Sequence, residues 1–75
     1  MRSLNQLQPG EAGVVSEITG EEDVLLRLME MGLTEGTPVT VVRFAPLGDP
    51  IEITARGYHL SLRRAEAAGI LLQDS

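Results

Sequence analysis

Seventy-five residues form at most one domain with one small core, because a chain of this length buries only about 60% of the surface that it exposes when unfolded. The composition, with 43% hydrophobic and 23% charged residues, excludes a disordered chain. The sequence contains no cysteine, which excludes a disulfide framework, a cysteine zinc finger and an iron–sulfur cluster. We therefore expect residues 1–75 to form a single domain that folds on packing alone.

The net charge of −5 lies in the first half of the chain. Residues 1–36 carry seven acidic residues and two arginines, whereas residues 37–75 carry four acidic residues and four arginines. Phosphate backbones repel an acidic chain, and two aromatic residues offer few stacking platforms, so we expect no nucleic-acid partner. No apolar run approaches the ~20 residues that span a bilayer. We therefore expect a cytoplasmic protein without direct membrane insertion.

Glycine and proline punctuate short β-branched runs, a pattern that is typical of small antiparallel barrels. The first run predicts a strand over residues 12–18, with Val14 and Ile18 on one face and Val15 on the other. After a helical segment at residues 20–31, the pattern predicts four further strands, a hairpin loop and a short helical turn. The strands are predicted near 39–44, 51–55, 58–62 and 70–72, the loop at 46–50 and the turn near 64–68.

Alternation within the later strands predicts which side chains face the core. In the strand at 39–44, Val39 and Val41 lie on one face and Val42 and Phe44 on the other, and we expect Phe44 to pack inside. In the next strand the alternation predicts a half-buried surface with Ile51, Ile53 and Ala55 facing inward.

Residues 20–31 depart from this alternation and predict the one inserted α-helix. Thr19 and Glu22 have the spacing of a capping box at its start, and Gly32 is suited to the left-handed position after its end. The apolar residues of the segment recur at helical spacing, and we expect them to fill the core: Val24, Leu25, Leu28, Met29 and Met31. Five strands and this helix predict a mainly β fold, a small SH3-like barrel.

Catalytic groups are sparse along the chain. His59 and Ser61 lie two residues apart on one strand face, roughly 6.6 Å apart along the backbone, and no third group in sequence orients the imidazole. No lysine is present to form a Schiff base. We therefore expect a protein that is not an enzyme.

A metal site is an alternative that depends on one residue. His59 is the single histidine, so a site with two imidazole ligands requires a second copy of the chain or a partner. We expect no required cofactor and interpret His59 first as a solvent-facing strand residue. Weak binding of iron(II) or zinc at His59, with a site shared between the subunits of a homo-oligomer, is left open.

Two leucines indicate a surface for protein–protein interaction. Leu26 lies toward the polar side of the predicted helix, and Leu47 lies at the tip of the hairpin loop. An apolar side chain at an exposed tip loses contact with water only when a partner covers it. Three arginines in the second half of the chain could form a cationic patch, and we expect Glu52 and Glu66 to pair with them: Arg56, Arg63 and Arg64.

Several segments with a specific order and spacing cover roughly residues 4 to 72: Leu7-Gln-Pro-Gly-Glu11, Arg27-Leu-Met-Glu-Met-Gly-Leu33, Glu35-Gly36, Ala45-Pro-Leu-Gly-Asp-Pro-Ile51, Arg56-Gly-Tyr58 and Leu62-Arg63. Together they resemble the FeoA family of small proteins of bacterial ferrous iron transport. The resemblance implies an SH3-like barrel with an inserted helix, in agreement with the pattern analysis. It also implies an accessory protein that docks on the membrane transporter FeoB at its cytosolic side and modulates its activity or assembly.

On this interpretation we expect the contact surface to include Leu26, Arg27, Leu47 and Asp49. Two alternatives remain besides the metal-binding or metal-sensing module. One is a detached regulatory barrel like those of iron-dependent repressors, which the resemblance also suggests. The other is an adaptor for proline-rich peptides, whose grooves are lined by aromatic side chains that this chain largely lacks.

Overall fold

The computed structural model describes residues 2–73 and contains the predicted elements together with one 3-10 turn at its start. The fold is mainly β, as predicted, with one helix inserted after the first strand and a helical turn before the last. The elements are a 3-10 turn (Leu4–Gln6), β1 (Ala12–Ile18), α1 (Glu22–Glu30), β2 (Pro38–Phe44), β3 (Ile51–Ala55), β4 (Tyr58–Leu62), α2 (Arg64–Ala67) and β5 (Ile70–Leu72).

The strands form one antiparallel sheet in the order β4-β3-β2-β1-β5. The first strand pairs with two different strands along its length. Its first half, from Ala12 to Val14, pairs with β2, and its second half, from Val15 to Ile18, pairs with β5. Where β2 leaves β1, the backbone of Val15 accepts a hydrogen bond from the Gly36 N–H at 2.7 Å and donates one to the Thr37 carbonyl at 2.9 Å. Strand β1 therefore changes its pairing partner between Val14 and Val15.

A bulge in β1 makes the predicted side-chain alternation wrong. Val15 pairs with Leu72 and Ile18 pairs with Ile70, with a register shift between Val15 and Glu17. Residues directly opposite each other in a sheet share a face, so Val15 and Ile18 both face the core. The extra residue of a bulge shifts the alternation by one position, which strict alternation in the sequence cannot show.

A second bulge, in β2, also shifts the alternation of side chains between the two faces of the sheet. Val41 pairs with Ile53 and Phe44 with Ile51, with the register shift between Val41 and Arg43. Phe44 therefore returns to the face of Val41 and packs against the core, while Val42 is left 40% exposed. The predicted packing of Phe44 is confirmed, but the predicted opposition of Phe44 to Val41 is wrong.

The core includes a segment that sequence pattern did not reveal. Leu4 and Leu7 are fully buried at the two ends of the 3-10 turn, and Ser3 bridges to Leu71 at the end of the sheet. The predicted inward face of β3 is confirmed, since Ile51, Ile53 and Ala55 are all buried. The buried apolar residues are Leu4, Leu7, Val15, Leu28, Leu33, Val39, Val41, Ile51, Ile53, Ala55, Leu62, Ala67, Ile70 and Leu72.

The predicted capping box of α1 is wrong, but the predicted end is correct. Thr19 lies outside the helix, and its N–H and hydroxyl donate to the Gly69 carbonyl at 2.7 and 3.2 Å. The helix starts after Glu21 without a side-chain cap. At the other end Gly32 has a φ of +88°, and the Leu33 N–H donates to the Leu28 carbonyl at 3.0 Å, as a Schellman motif requires.

Neither helix within residues 2–73 has the length and apolar character needed to cross a bilayer.

We predict that Gly69→Ala destabilises the fold. A Cβ at this position would overlap the carbonyl oxygen of Thr19, which is backbone and cannot rotate away. We expect a loss of about 1–3 kcal/mol in the free energy of unfolding, measured by urea denaturation. Ala68→Ser, which adds an atom at an exposed neighbouring position, is the control. Equal stability of Gly69→Ala and the unchanged chain would contradict the close approach of these two segments.

Candidate functional site

The two segments that sequence analysis assigned to a contact surface are both attached to the short helix α2. Arg27, on α1, forms an ion pair with Glu66 of α2, where the Arg27 side chain is 49% exposed and that of Glu66 is 13% exposed. The predicted pairing of Glu66 with the guanidinium groups of the arginines at 56, 63 and 64 is therefore wrong, and its contact with Arg63 is a hydrogen bond accepted from the backbone N–H at 2.9 Å. Glu52 pairs with Arg43 at 2.5 Å across neighbouring strands.

The loop between β2 and β3 is held by Arg64, the first residue of α2. Its backbone N–H donates to the Asp49 carboxylate at 3.0 Å, and its guanidinium donates to the Gly48 carbonyl. The same guanidinium lies over the Phe44 ring, 4.5 Å from the centroid. Two polar contacts and one cation–π contact thus fasten the loop to α2.

The predicted surface leucines are exposed. Leu47, at the tip of the fixed loop, is 96% exposed, and Leu26, on the outer face of α1, is 53% exposed. Between these segments lies a shallow hollow of about 370 Å³. It is lined by Arg27, Pro50, Ser61, Arg63 and Glu66. The structure therefore brings Arg27 and the base of the loop to one side of the molecule.

A second concave feature, the α1–β1 groove, was missed by sequence analysis. It is an open groove of about 590 Å³ between the helix and the second half of β1. Met29 is 56% exposed on its wall, so the prediction that Met29 fills the core is wrong. The helix packs with Leu28 inward, which turns Met29 toward the groove. The groove is lined by Ser16, Glu17, Ile18, Leu25, Met29, Leu33, Thr34 and Glu35.

His59 lies apart from both features, exposed on β4 as predicted. It lines a hollow of about 430 Å³ together with Glu30 at the end of α1 and Tyr58 beside it. Within residues 2–73, histidine and carboxylate side chains form no group of three that could hold a metal ion. One imidazole and one carboxylate supply two of the four ligands of a tetrahedral zinc site, so a metal site at His59 stays a prediction.

Arg56, which lies in one of the segments that resemble the FeoA family, makes contacts that hold the fold together. It occupies the two-residue hairpin between β3 and β4 at a φ of +51°, followed by Gly57 at +83°. Its guanidinium donates to the Gly32 carbonyl at 3.1 Å and to the hydroxyl of the buried Thr37 at 3.2 Å. A cation at the carboxyl end of α1 also complements the helix dipole. Arg56 therefore fastens the hairpin to the end of the helix.

The family model of the FeoA domain matches residues 2–74 of the chain. A curated relative from Porphyromonas gingivalis, the "Fe(2+) transport protein A/Fe(2+) transporter FeoB fusion protein", is 39% identical over 67 residues. The match covers 89% of this chain but only 8% of that much longer protein.

Solved structures of the same description superpose closely on the chain. The FeoA protein of Chlorobium tepidum is 44% identical, with a TM-score of 0.89 over 93% of this chain and 67% of that chain. FeoA of Stenotrophomonas maltophilia, described as an SH3 domain protein complexed with zinc, is 23% identical, with a TM-score of 0.84 over 97% of this chain and 91% of that chain.

A manganese-dependent transcriptional repressor also contains this fold, with 18% identity and a TM-score of 0.86 over 95% of this chain and 40% of that chain. At this identity the likeness shows the fold alone. The predicted SH3-like architecture is confirmed by the superposition on the Stenotrophomonas maltophilia structure, which is described as an SH3 domain protein. The match to the family model and the relatives at 39% and 44% identity go further. The chain belongs to the FeoA family.

Proposed function

We propose that this chain docks on the cytosolic part of the ferrous iron transporter FeoB and modulates its activity or assembly, without itself catalysing a reaction. The observation that carries the proposal is the relative in which transport protein A and FeoB form one polypeptide. Joining two modules in one chain raises their effective concentration and favours contacts between them. We infer that this chain meets FeoB through an interface of the same kind.

The contacts described above divide the four predicted contact residues into two pairs. Leu26 and Leu47 present apolar side chains without packing against the core, so they are suited to touch a partner. Arg27 and Asp49 already have partners on α2, which holds the helix and the loop together. In the proposed interface the leucines make contact and the two charged residues keep them in position, which lowers the entropy lost on binding.

We predict that Leu26→Asp and Leu47→Asp each weaken binding to the cytosolic domain of FeoB by about tenfold or more, since each places a carboxylate in a desolvated contact. Calorimetric titration measures the affinity. Val42→Asp, which changes another exposed apolar residue, on β2, is the control and should leave the affinity nearly unchanged.

Three results of this titration would count against the proposal. An absence of binding by the unchanged chain would remove docking on FeoB. An affinity that is insensitive to Leu47→Asp would remove the loop from the interface, and equal losses in all three variants would show an effect on folding and not on contact. Thermal unfolding of each variant distinguishes that last case.

We predict that Asp49 acts by holding the loop. Asp49→Ala removes the acceptor for the first N–H of α2, and by analogy with helix capping we expect it to cost about 1 kcal/mol of stability. Asp49→Asn retains an oxygen that can accept this hydrogen bond and should preserve most of the stability and the affinity for FeoB. If both variants lose affinity equally while remaining stable, the charge of Asp49 contacts the partner directly.

Metal binding is the second candidate function, and the specific observation in its favour is the shared hollow of His59 and Glu30. The zinc-complexed protein of Stenotrophomonas maltophilia has the same fold. Because two ligands are too few for a closed site, the missing ligands would come from water, from FeoB or from a second copy of the chain.

We predict weak zinc binding that is lost in His59→Ala, measured by equilibrium dialysis with zinc and with iron(II) under anaerobic conditions. Glu17→Gln, which alters an acidic residue elsewhere on the surface, is the control. Sedimentation with and without zinc tests whether a homo-oligomer forms. Binding that His59→Ala leaves unchanged would place the metal elsewhere.

A further inference from the structure

The α1–β1 groove has an apolar floor and an acidic rim. Leu33 is fully buried at its base, Leu25 and Ile18 are half-buried, and Met29 stands on its wall. Leu26 lies one turn from Met29, so the apolar surface continues over the outer face of α1. Glu17 and Glu35 are exposed at the rim. Such a combination suits a ligand that is apolar on one side and carries positive charge at its margins.

The charge of α1 opposes the packing of two copies of this chain through the groove. The helix carries Glu22, Asp23 and Glu30, and Glu21 immediately precedes it. Its one basic residue, Arg27, is engaged with Glu66 on α2. Two such helices face to face would bring carboxylates together, and like charges at an interface are costly. The same carboxylates favour a cationic occupant.

The backbone at the groove favours a helix over an added strand. In the described sheet β2 pairs with β1 only as far as Val14. The N–H and the carbonyl of Val15 are both hydrogen-bonded to the loop between α1 and β2. The part of β1 that lines the groove, residues 16–18, is three residues long, shorter than the mean strand of about five to six residues. An added strand would make few ladder hydrogen bonds there. An amphipathic helix instead uses the apolar side chains that the groove offers.

We propose that the α1–β1 groove binds an amphipathic helix with a leucine-rich face and lysine or arginine along its flanks, contributed by the cytosolic part of the transporter. This inference rests on the proposed function and names the chemistry of the segment that FeoB presents. The floor buries the apolar face of the incoming helix, and the rim at Glu17 and Glu35 pairs with its basic flanks. Salt weakens the second contribution, because these carboxylates are exposed.

The test uses synthetic peptides and the isotope-labelled full chain, followed by nuclear magnetic resonance. The probe is an amphipathic peptide of leucine and lysine. Its controls are an isomer of identical composition with the leucines distributed around the helix, and a peptide in which glutamate replaces lysine. We expect the amphipathic peptide alone to shift the amide signals of Leu25, Met29, Leu33 and Thr34, with an affinity that falls as salt is added.

Two variants of equal charge change locate the site. Met29→Lys places a cation on the groove wall and should weaken binding of the leucine–lysine peptide by about tenfold or more. Tyr58→Lys adds the same charge at a residue that is 67% exposed and lies outside the groove, and it should change the affinity by about twofold or less. Equal losses in the two variants, or equal binding of the isomer, would overturn the inference. So would signal shifts that centre on Leu47.

The same variants separate this inference from the function on which it rests. If the peptide binds the groove but the cytosolic domain of FeoB does not bind the chain, the proposed docking fails and the groove remains a site for a basic helix. If the domain binds the unchanged chain and Met29→Lys equally, docking stands and the groove inference fails. Groove signals that shift with protein concentration in the absence of peptide would assign the groove to a second copy and overturn the inference.

Discussion

The structure depends on the division of β1 between two partners. Its first half pairs with β2 and its second half with β5, so one strand joins the central sheet to the end of the chain. The bulge between Val15 and Glu17 allows this change, because it bends the strand and returns Ile18 to the core face. Where β2 departs, the chain leaves room between β1 and α1. The α1–β1 groove is thus a consequence of the same pairing that closes the core.

The four-residue helix α2 has a role out of proportion to its length. Glu66 holds α1 through Arg27, and Arg64 holds the β2–β3 loop through Asp49 and Gly48. These contacts are largely polar and lie near the surface, so each contributes little to stability by itself. Their effect is geometric, because they fix Leu26 and Leu47 relative to each other. Exposed segments that are held in this way present a defined surface to a partner.

The SH3-like fold by itself does not define the function. A transcriptional repressor at 18% identity shares it, and so does the zinc-complexed FeoA of Stenotrophomonas maltophilia at 23% identity. A likeness at these identities shows the fold and assigns no metal to this chain. The family assignment rests instead on sequence likeness over most of the chain. Many of the motif positions have structural roles in this molecule: Gly32 ends α1, Arg56 fastens a hairpin to that end, and Asp49 holds a loop. These motif positions therefore report how the fold is built, and the exposed Leu47, proposed for contact, lies within one of the same segments.

The sequence alone determined the five strands, α1 and the turn at α2, since helix and strand periods, the glycine after α1 and the turns at proline and glycine act over a few residues; it did not reveal the 3-10 turn at Leu4–Gln6. It also determined that Ile51, Ile53 and Ala55 face inward and that Leu47 stands at an exposed tip. Only the tertiary structure decided the rest. Two bulges reversed the expected faces of β1 and β2, because register depends on the partner strand and leaves no local pattern. Long-range contacts pair Glu66 with Arg27 and Thr19 with Gly69, and the packing of α1 leaves Met29 exposed. Such contacts are fixed by packing across the fold and not by spacing along the chain.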